Sequence, residues 1–351
     1  MRFFLLISCN INHVDSKDFL YKVELIPEHR FPLDNLFNPI RMCIHQDYLI
    51  LYQSNPQSHR SDFFFSAYSL TDEIYKGSFG GKGRGPGEWL FPTIIPSTLH
   101  SPYLYLTDDG SSSQTTALIH KMVLDSAIQL RSIGSFEIDK GGHYSMHNIL
   151  ISNDSLLVYD EFASAPILKV QHLDQDIPVK SWIYGANKGD YLSSDYIYQI
   201  QFDENRGVHA ANDSCIAFLY TYKEQIDFLD WDLKLKKRLN YQKNKPIILS
   251  GDDRMDNVWY YNSAFMGQNF LYTFYYGVPY KEYLGKNDMV LEVFDLKGTP
   301  VCSYSFSPPK PAIFTVDERT FTLYGYRNDD GIEDSISVYR LPELRDYLYN
   351  R

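Results

Sequence analysis

A chain of 351 residues, 44% of them apolar, carries enough hydrophobic material for a full core, which excludes an intrinsically disordered protein. The net charge of −11 excludes the basic face with which nucleic-acid binders neutralise phosphates, and it argues against adsorption to anionic lipid through protein charge. With 29 Tyr and 22 Phe against 4 Trp, the aromatic content favours strands, because flat rings pack well on a half-buried pleated surface.

The chain begins with a basic residue, a short apolar run and a small residue ahead of Cys9, "MRFFLLISC". This start resembles a bacterial lipoprotein signal, in which Leu6, Ile7 and Ser8 precede a cysteine that is lipidated after cleavage. The resemblance implies export and a lipid anchor at Cys9, with residues 1–9 a signal remnant and residues 10–351 a single domain. The run is shorter than the roughly 7–15 residues of a secretory h-region, so either the true start lies upstream or this is an ordinary N-terminal strand. No other stretch approaches the roughly 20 apolar residues of a membrane span. Cys43, Cys215 and Cys302 lie in apolar runs without metal-site spacing and are expected to be buried free thiols.

One unit then recurs along the chain. "DYLILYQ" begins near Tyr48, "PYLYLTDDG" near Tyr103 and "DSLLVYDEF" near Leu156, followed by "DSCIAFLYTY" near Ile216, "NFLYTFYYG" near Phe270 and "RTFTLYGYR" near Phe321. The spacings are about 55, 53, 60, 54 and 51 residues, a steady period. Each run is followed by a second ("FFFSAYSL", "VLEVFDLKG"), usually by a third ("EIYKGSFG", "PVCSYSF"), and preceded by another ("PIRMCIHQ", "AIFTVDE"). No segment holds helical apolar spacing over three turns, and only "RLPELRDYLYN" at the end reads as a short helix. Four strands per unit, six times over, predict an all-β chain folded as a six-bladed β-propeller with four-stranded blades.

The sixth unit has three strands and then the chain ends, while "DFLYKVELIP" stands spare ahead of the first unit. An unpaired last blade leaves an open edge. Residues 18–27 are therefore expected to close the ring as the outer strand of blade six.

The stretch "GGKGRGPGEWLFP", residues 80–92, links the outer strand of unit one to the inner strand of unit two. It is not a phosphate loop. Lys82 is followed by Gly83 where a P-loop needs Ser or Thr, and neither a third dinucleotide-type glycine nor a helix follows Gly81 and Gly83. Its glycines suit a path on which backbone approaches backbone, with Pro86 stiffening the turn. The element Gly83, Gly85, Pro86, Gly87 and Glu88, after a "GSFG" strand and a lipoprotein-like start, resembles the TolB-like six-bladed propeller proteins of Bacteroidetes. That resemblance implies a six-bladed fold and an exported lipoprotein, and it implies no reaction.

Other candidate chemistry is sparse. His143 and His147 are spaced as a metal pair only on a helix, and flanking glycines argue for a loop. Asn328, Asp329, Asp330 and Glu333 sit in a calcium-like stretch whose register fails, with Tyr326 at the first ligand position and Ser337 where the bidentate Glu belongs. No cofactor is implied; calcium is conceivable but has no local motif behind it. In a four-stranded blade, the link between blades and the loop from second to third strand leave on the same face. That face collects Lys82, Arg84, Glu88, Asp108, Asp109, Asp160, Glu161, Lys223, Tyr276 and Arg327 as candidate ligand- or partner-binding residues near the channel mouth.

No assembled catalytic motif is present, so the leading expectation is a non-enzymatic, monomeric binding module. It is an envelope lipoprotein that holds a protein, peptide or glycan on one propeller face, touching the membrane only through Cys9. The alternative is a metal-dependent, lactonase-like hydrolase whose scattered Glu, Asn and Asp ligands gather on a cation in the channel.

Overall fold

The structure is a computed structural model that describes residues 17–33, 39–53, 62–85, 87–95, 101–108, 116–139, 149–152, 155–160, 167–172, 180–183, 206–241, 248, 252–283, 289–327 and 335–350. Two short strands come first, β1 (Tyr21–Leu25) and β2 (His29–Pro32). A first sheet follows: β3 (Arg41–His45), β4 (Tyr48–Tyr52), β5 (Phe63–Ser69), β6 (Tyr75–Lys82) and the two-residue β7 (Glu88–Trp89). The second holds β8 (Pro92–Ile95), β9 (Leu104–Asp108), β10 (Thr116–Leu124) and β11 (Leu130–Asp139). The third holds β12 (Ile149–Ser152), β13 (Ser155–Asp160), β14 (Ile167–His172) and β15 (Lys180–Ile183). The fourth comprises β16 (Gly207–Ala211), β17 (Ile216–Tyr220), β18 (Gln225–Leu229) and β19 (Leu235–Asn240). In the fifth lie β20 (Val258–Met266), β21 (Phe270–Pro279), β22 (Val290–Asp295) and β23 (Pro300–Phe306), and in the sixth β24 (Ile313–Asp317), β25 (Thr322–Tyr326) and β26 (Ser335–Arg340). The C-terminal run is a helix as expected, Pro342–Tyr349, with proline at its start, where the missing N–H costs no hydrogen bond.

Apart from the parallel β6–β7 pair, successive strands pair antiparallel within each sheet, and the sheets pack on one another in sequence, as in a β-propeller. Among the described residues, six apolar clusters carry that packing. Leu106 shares a cluster with Phe65 across the first and second sheets, Leu156 with Tyr105 across the second and third, and Phe218 with Leu168 across the third and fourth. Leu271 shares one with Leu219, and Val316 with Phe274, across the later pairs. The remaining cluster joins the last sheet to the first through Tyr324, Ile336, Leu49, Leu51 and Phe31.

The turns repeat as well as the strands. In three sheets the turn before the fourth strand begins with an aspartate whose Oδ1 accepts two backbone amides. Asp125 accepts from Ala127 and Gln129 (2.9 Å each), Asp230 from Asp232 (3.0 Å) and Lys234 (2.9 Å), and Asp295 from Lys297 (3.0 Å) and Thr299 (2.7 Å). Each turn then needs a left-handed residue, supplied by Ile128 (φ 59°), Leu233 (φ 59°) and Gly298 (φ 75°). Aspartate side chains favour such turns because they replace a backbone acceptor locally.

The expected closing strand is corrected. Residues 18–27 do not complete the last sheet: β1 adds in parallel to β23, pairing Tyr21 with Cys302 and Leu25 with Phe306, as a fifth strand of the fifth sheet. The fourth strand of the sixth sheet is β2, antiparallel to β26 from His29↔Val338 to Pro32↔Ser335. The physical reason lies at Pro27. It has no N–H for a ladder and a fixed φ, so the extended run stops there and the chain re-aims. Between Pro27 and Leu33 the buried residues are Phe31 and Leu33, a signal too thin to read as a strand.

Candidate functional site

The glycine-rich link is a folded structure in its own right. β7 doubles back in parallel on β6, pairing Gly81 with Glu88 and Lys82 with Trp89. The Gly85 amide donates to Glu88 Oε2 at 2.6 Å, and the Gly83 amide donates to the Trp89 carbonyl at 3.0 Å. The Glu88 carboxylate lies so close over Gly83 that a Cβ there would stand 1.9 Å from Oε2. Glycine is therefore needed for close approach, and Glu88 serves the loop instead of projecting as a free acid. Trp89 is buried and meets His120 edge-on at 5.1 Å, pinning the end of the link to the second sheet.

Asp108 has a similar employment. It is buried at the end of β9 and accepts the Leu90 amide at 3.2 Å and the Phe91 amide at 2.7 Å. Because Pro92 at the start of β8 pairs with Asp108, the link and the loop after the second strand emerge together. We call this the link side. Lys223 lies there in the turn after β17, its Nζ 5.2 Å from the Tyr220 ring centroid. Arg327 follows β25 and donates to the Lys310 carbonyl at 3.4 Å. Tyr276, near the end of β21, packs partly buried against the cluster between the fifth and sixth sheets. Lys82 and Arg84 are exposed, and Asp160 ends β13 at the position equivalent to Asp108. Asp109 and Glu161 lie outside the described residues, as do Cys9, Pro86, His143, His147, Asn328, Asp329, Asp330 and Glu333.

The described members of the expected set are thus spread around the link side and are not gathered at one point. The residues that do converge are others, between the fourth and fifth sheets. Lys17, just ahead of β1, sends its Nζ to Glu224 Oε1 and to both carboxylate oxygens of Glu292, each at 2.9 Å. The Tyr275 ring centroid lies 3.7 Å from that nitrogen, with Tyr241 at 5.1 Å and Tyr261 at 5.2 Å. Glu224 comes from the turn between β17 and β18, Tyr241 from the chain leaving β19, Tyr261 from β20, Tyr275 from β21 and Glu292 from β22.

The Lys17 and Glu292 side chains are only 9% and 4% exposed, so the ammonium is largely desolvated. An ammonium facing tyrosine rings and two carboxylates gains both ion-pair and cation–π attraction, which strengthen as water leaves. Burial raises the Glu292 carboxyl above its usual range, and Lys17 opposes that rise. Burial, followed by the two carboxylates, also raises the Tyr241, Tyr261 and Tyr275 hydroxyls, so all three stay neutral. Tyr261 is fully buried and its hydroxyl hydrogen-bonds Glu292, which favours the carboxylate's charge.

Beside this cage runs an aromatic ledge. Trp259 stacks on Tyr280 with centroids 4.9 Å apart and meets Tyr222 edge-on at 5.7 Å. Trp259 and Tyr280 are half-buried. Elsewhere, a cavity lined by Arg41, Met42, Cys43, Ile50, Tyr52 and Ile94 holds about 30 Å³, room for a water or two and not for an organic ligand. Burial pushes the Cys43 thiol up to about 12, so it is inert as a nucleophile. Among the described residues, no three metal-ligating side chains cluster, and no helix is long and apolar enough to cross a membrane.

Sequence reading passed over the cage because its parts are up to 275 residues apart. One local signal was available: Glu292 interrupts the apolar run "VLEVFD", where a charge is costly unless paired.

Comparison with known proteins gives a fold likeness. A candidate exported protein of Bacteroides fragilis NCTC 9343 superposes with a TM-score of 0.53 at 11% identity, covering 91% of this chain and 98% of that one. A member of the DUF4221 family from Bacteroides vulgatus ATCC 8482 does so with a TM-score of 0.51 at 13% identity, covering 90% of this chain and 97% of the other. No protein-family model and no curated protein matches the chain. At these identities the likeness is one of fold: the chain is a β-propeller, similar in architecture to proteins of Bacteroides.

Proposed function

We propose that the chain is a non-catalytic binding module, a six-bladed, TolB-like propeller held in the cell envelope by a lipid on Cys9, which takes a peptide or protein segment on its link side. The observation that carries this reading is the aromatic ledge of Trp259, Tyr280 and Tyr222 beside the acid-lined cage. Half-buried Trp and Tyr are the side chains that dominate protein-recognition energetics, because they supply large rigid area with a polar edge. The polar residues nearest the glycine link, Glu88 and Asp108, hold backbone amides, which favours scaffold work there and recognition between the fourth and fifth sheets.

The test is a screen of the full chain against arrayed peptides and glycans, with hits titrated against Trp259→Ala and Tyr280→Ala. Peptide hits are expected to weaken at least tenfold in both variants. Hits indifferent to both, or ester or lactone hydrolysis that EDTA abolishes and calcium restores, would overturn the reading.

A further inference from the structure

We infer that His29 and Glu73 form a pH-sensitive latch on the closure of the ring: protonated His29 holds β2 against the first sheet, and loss of that proton loosens β2 from β26 at the seam between the sixth and first sheets. The latch lies at the end of β2 away from the link side and does not depend on what the link side binds.

The position of Glu73 recurs around the ring. In the turn before a sheet's fourth strand, one left-handed residue meets the preceding sheet. Ile128 of the second sheet lies against Gly77 on β6, where an added Cβ would stand 3.3 Å from the Ile128 Cβ. Leu233 of the fourth is buried in the cluster shared with Leu168 and Val170 of the third. Gly298 of the fifth makes room for the Lys237 stem and Leu239 on β19, both within 3.3 Å of where its Cβ would be. The equivalent turn of the third sheet lies outside the described residues. In the first sheet the left-handed residue is Glu73 (φ 57°), and its carboxylate reaches His29 Nε2 on β2, the fourth strand of the preceding, sixth sheet. Where three such contacts are apolar or close-packed, the one at the seam is a pair of titratable groups.

β2 is also the fourth strand most easily released. β6, β11, β19 and β23 each follow their neighbour through a turn, whereas β2 comes from the N-terminal side of the chain and pairs with β26 over four residues. Its Pro32 adds no N–H to that ladder. β1 stays paired with β23, and Ile26 between the two strands is exposed, so β2 can lift without disturbing the fifth sheet.

The other charges around the latch are engaged with one another. Arg340 on β26 donates to Glu28 at 2.7 Å, and Arg319, in the turn after β24, pairs with Asp317 at 2.9 Å and Asp47 at 3.1 Å. Lys76 on β6 pairs with Asp72 at 2.7 Å, and Arg30 follows His29 on β2, where its charge reaches Tyr339. Burial, with Asp317 and Glu73 behind it, pushes the Tyr324 hydroxyl on β25 up to about 12, so it stays neutral. None of these is a histidine, the side-chain type whose ordinary titration falls between about pH 5 and 8. Protonated, the imidazole makes a charge-assisted hydrogen bond with the carboxylate; deprotonated, it is at most a neutral donor. The seam is therefore tighter toward the acid end of that range and looser toward the alkaline end.

The test is hydrogen exchange of the full chain, read by mass spectrometry over residues 28–33, which include the Glu28 amide bonded to the Val338 carbonyl at 2.8 Å. With intrinsic exchange rates divided out, protection there is expected to fall about two- to fivefold between about pH 5.5 and 8, the span of an exposed ion pair, and to stay level over β19. The fall should vanish in His29→Gln, where the side chain replaced is 40% exposed, and in Glu73→Leu, the residue type that Leu233 supplies in the fourth sheet. Protection over residues 28–33 that ignores pH in the unaltered chain, that changes equally over β19, or that keeps its slope in His29→Gln overturns the inference. Burial holds His45 down to about 4, so global stability responds to pH in the opposite sense and cannot imitate the latch.

Discussion

Phe31 offers the sharpest test of how the last sheet is completed. It sits on β2, is 7% exposed, and packs in the cluster that joins the sixth sheet to the first. Its strand contributes only four ladder residues, and the ring, with Leu33, anchors that segment in the cluster. Truncation to alanine removes a nearly full aromatic side chain from a packed interior and should cost about 3–5 kcal/mol. With an unfolding entropy of about 2.1 cal/mol/K per residue, a cooperative chain of this length should lose about 4–7 °C in melting midpoint. Ile26→Ala is the control, since Ile26 lies in the preceding link and is 69% exposed. Urea unfolding followed by tyrosine and tryptophan fluorescence gives the difference directly. A loss below about 1 kcal/mol for Phe31→Ala, or one matched by Ile26→Ala, would refute the assignment of β2 as the completing strand.

Acid should destabilise the protein through His45, which is 3% exposed and which burial pushes down to about 4. A histidine depressed in the folded state stabilises it above the unfolded value near 6.5, and that contribution fades as pH falls from 6.5 to 4. The full loss is about 3 kcal/mol, so in urea unfolding the stability of the unaltered chain should fall by that amount relative to His45→Leu across that window. Gly80→Ala should cost about 2–4 kcal/mol, because the backbone is left-handed there (φ +71°) and a Cβ would lie 2.7 Å from the buried Phe65 ring. Gly87→Ala, also left-handed (φ +79°) but in open space, should cost only about 1–2 kcal/mol by the same unfolding assay. Asp108→Ala strips the acceptor from the Leu90 and Phe91 amides and should cost about 1–3 kcal/mol, with faster hydrogen exchange at both amides. Unchanged exchange at those two positions would remove Asp108 from its place as the anchor of the link.

Strand formation and its repetition were legible in the sequence because they are local. Short apolar runs with tyrosine and phenylalanine enrichment act within a dozen residues, and the runs around Tyr48, Tyr103, Leu156, Ile216, Phe270 and Phe321 all became second strands. The glycine link was legible for the same reason, although the part played by Glu88 was not: its carboxylate bends back onto Gly83 and Gly85 only once β7 has turned against β6. Which N-terminal run completes which sheet was decided in three dimensions. Two strands competed for two edges, and Pro27 together with a single buried phenylalanine settled a choice that strand propensity alone would have made the other way. The cage lay wholly beyond local reading. Lys17, Glu224, Tyr241, Tyr261, Tyr275 and Glu292 mean little apart, and they become one ion-pair cluster only when sheet packing brings them within a few ångströms and takes the water away.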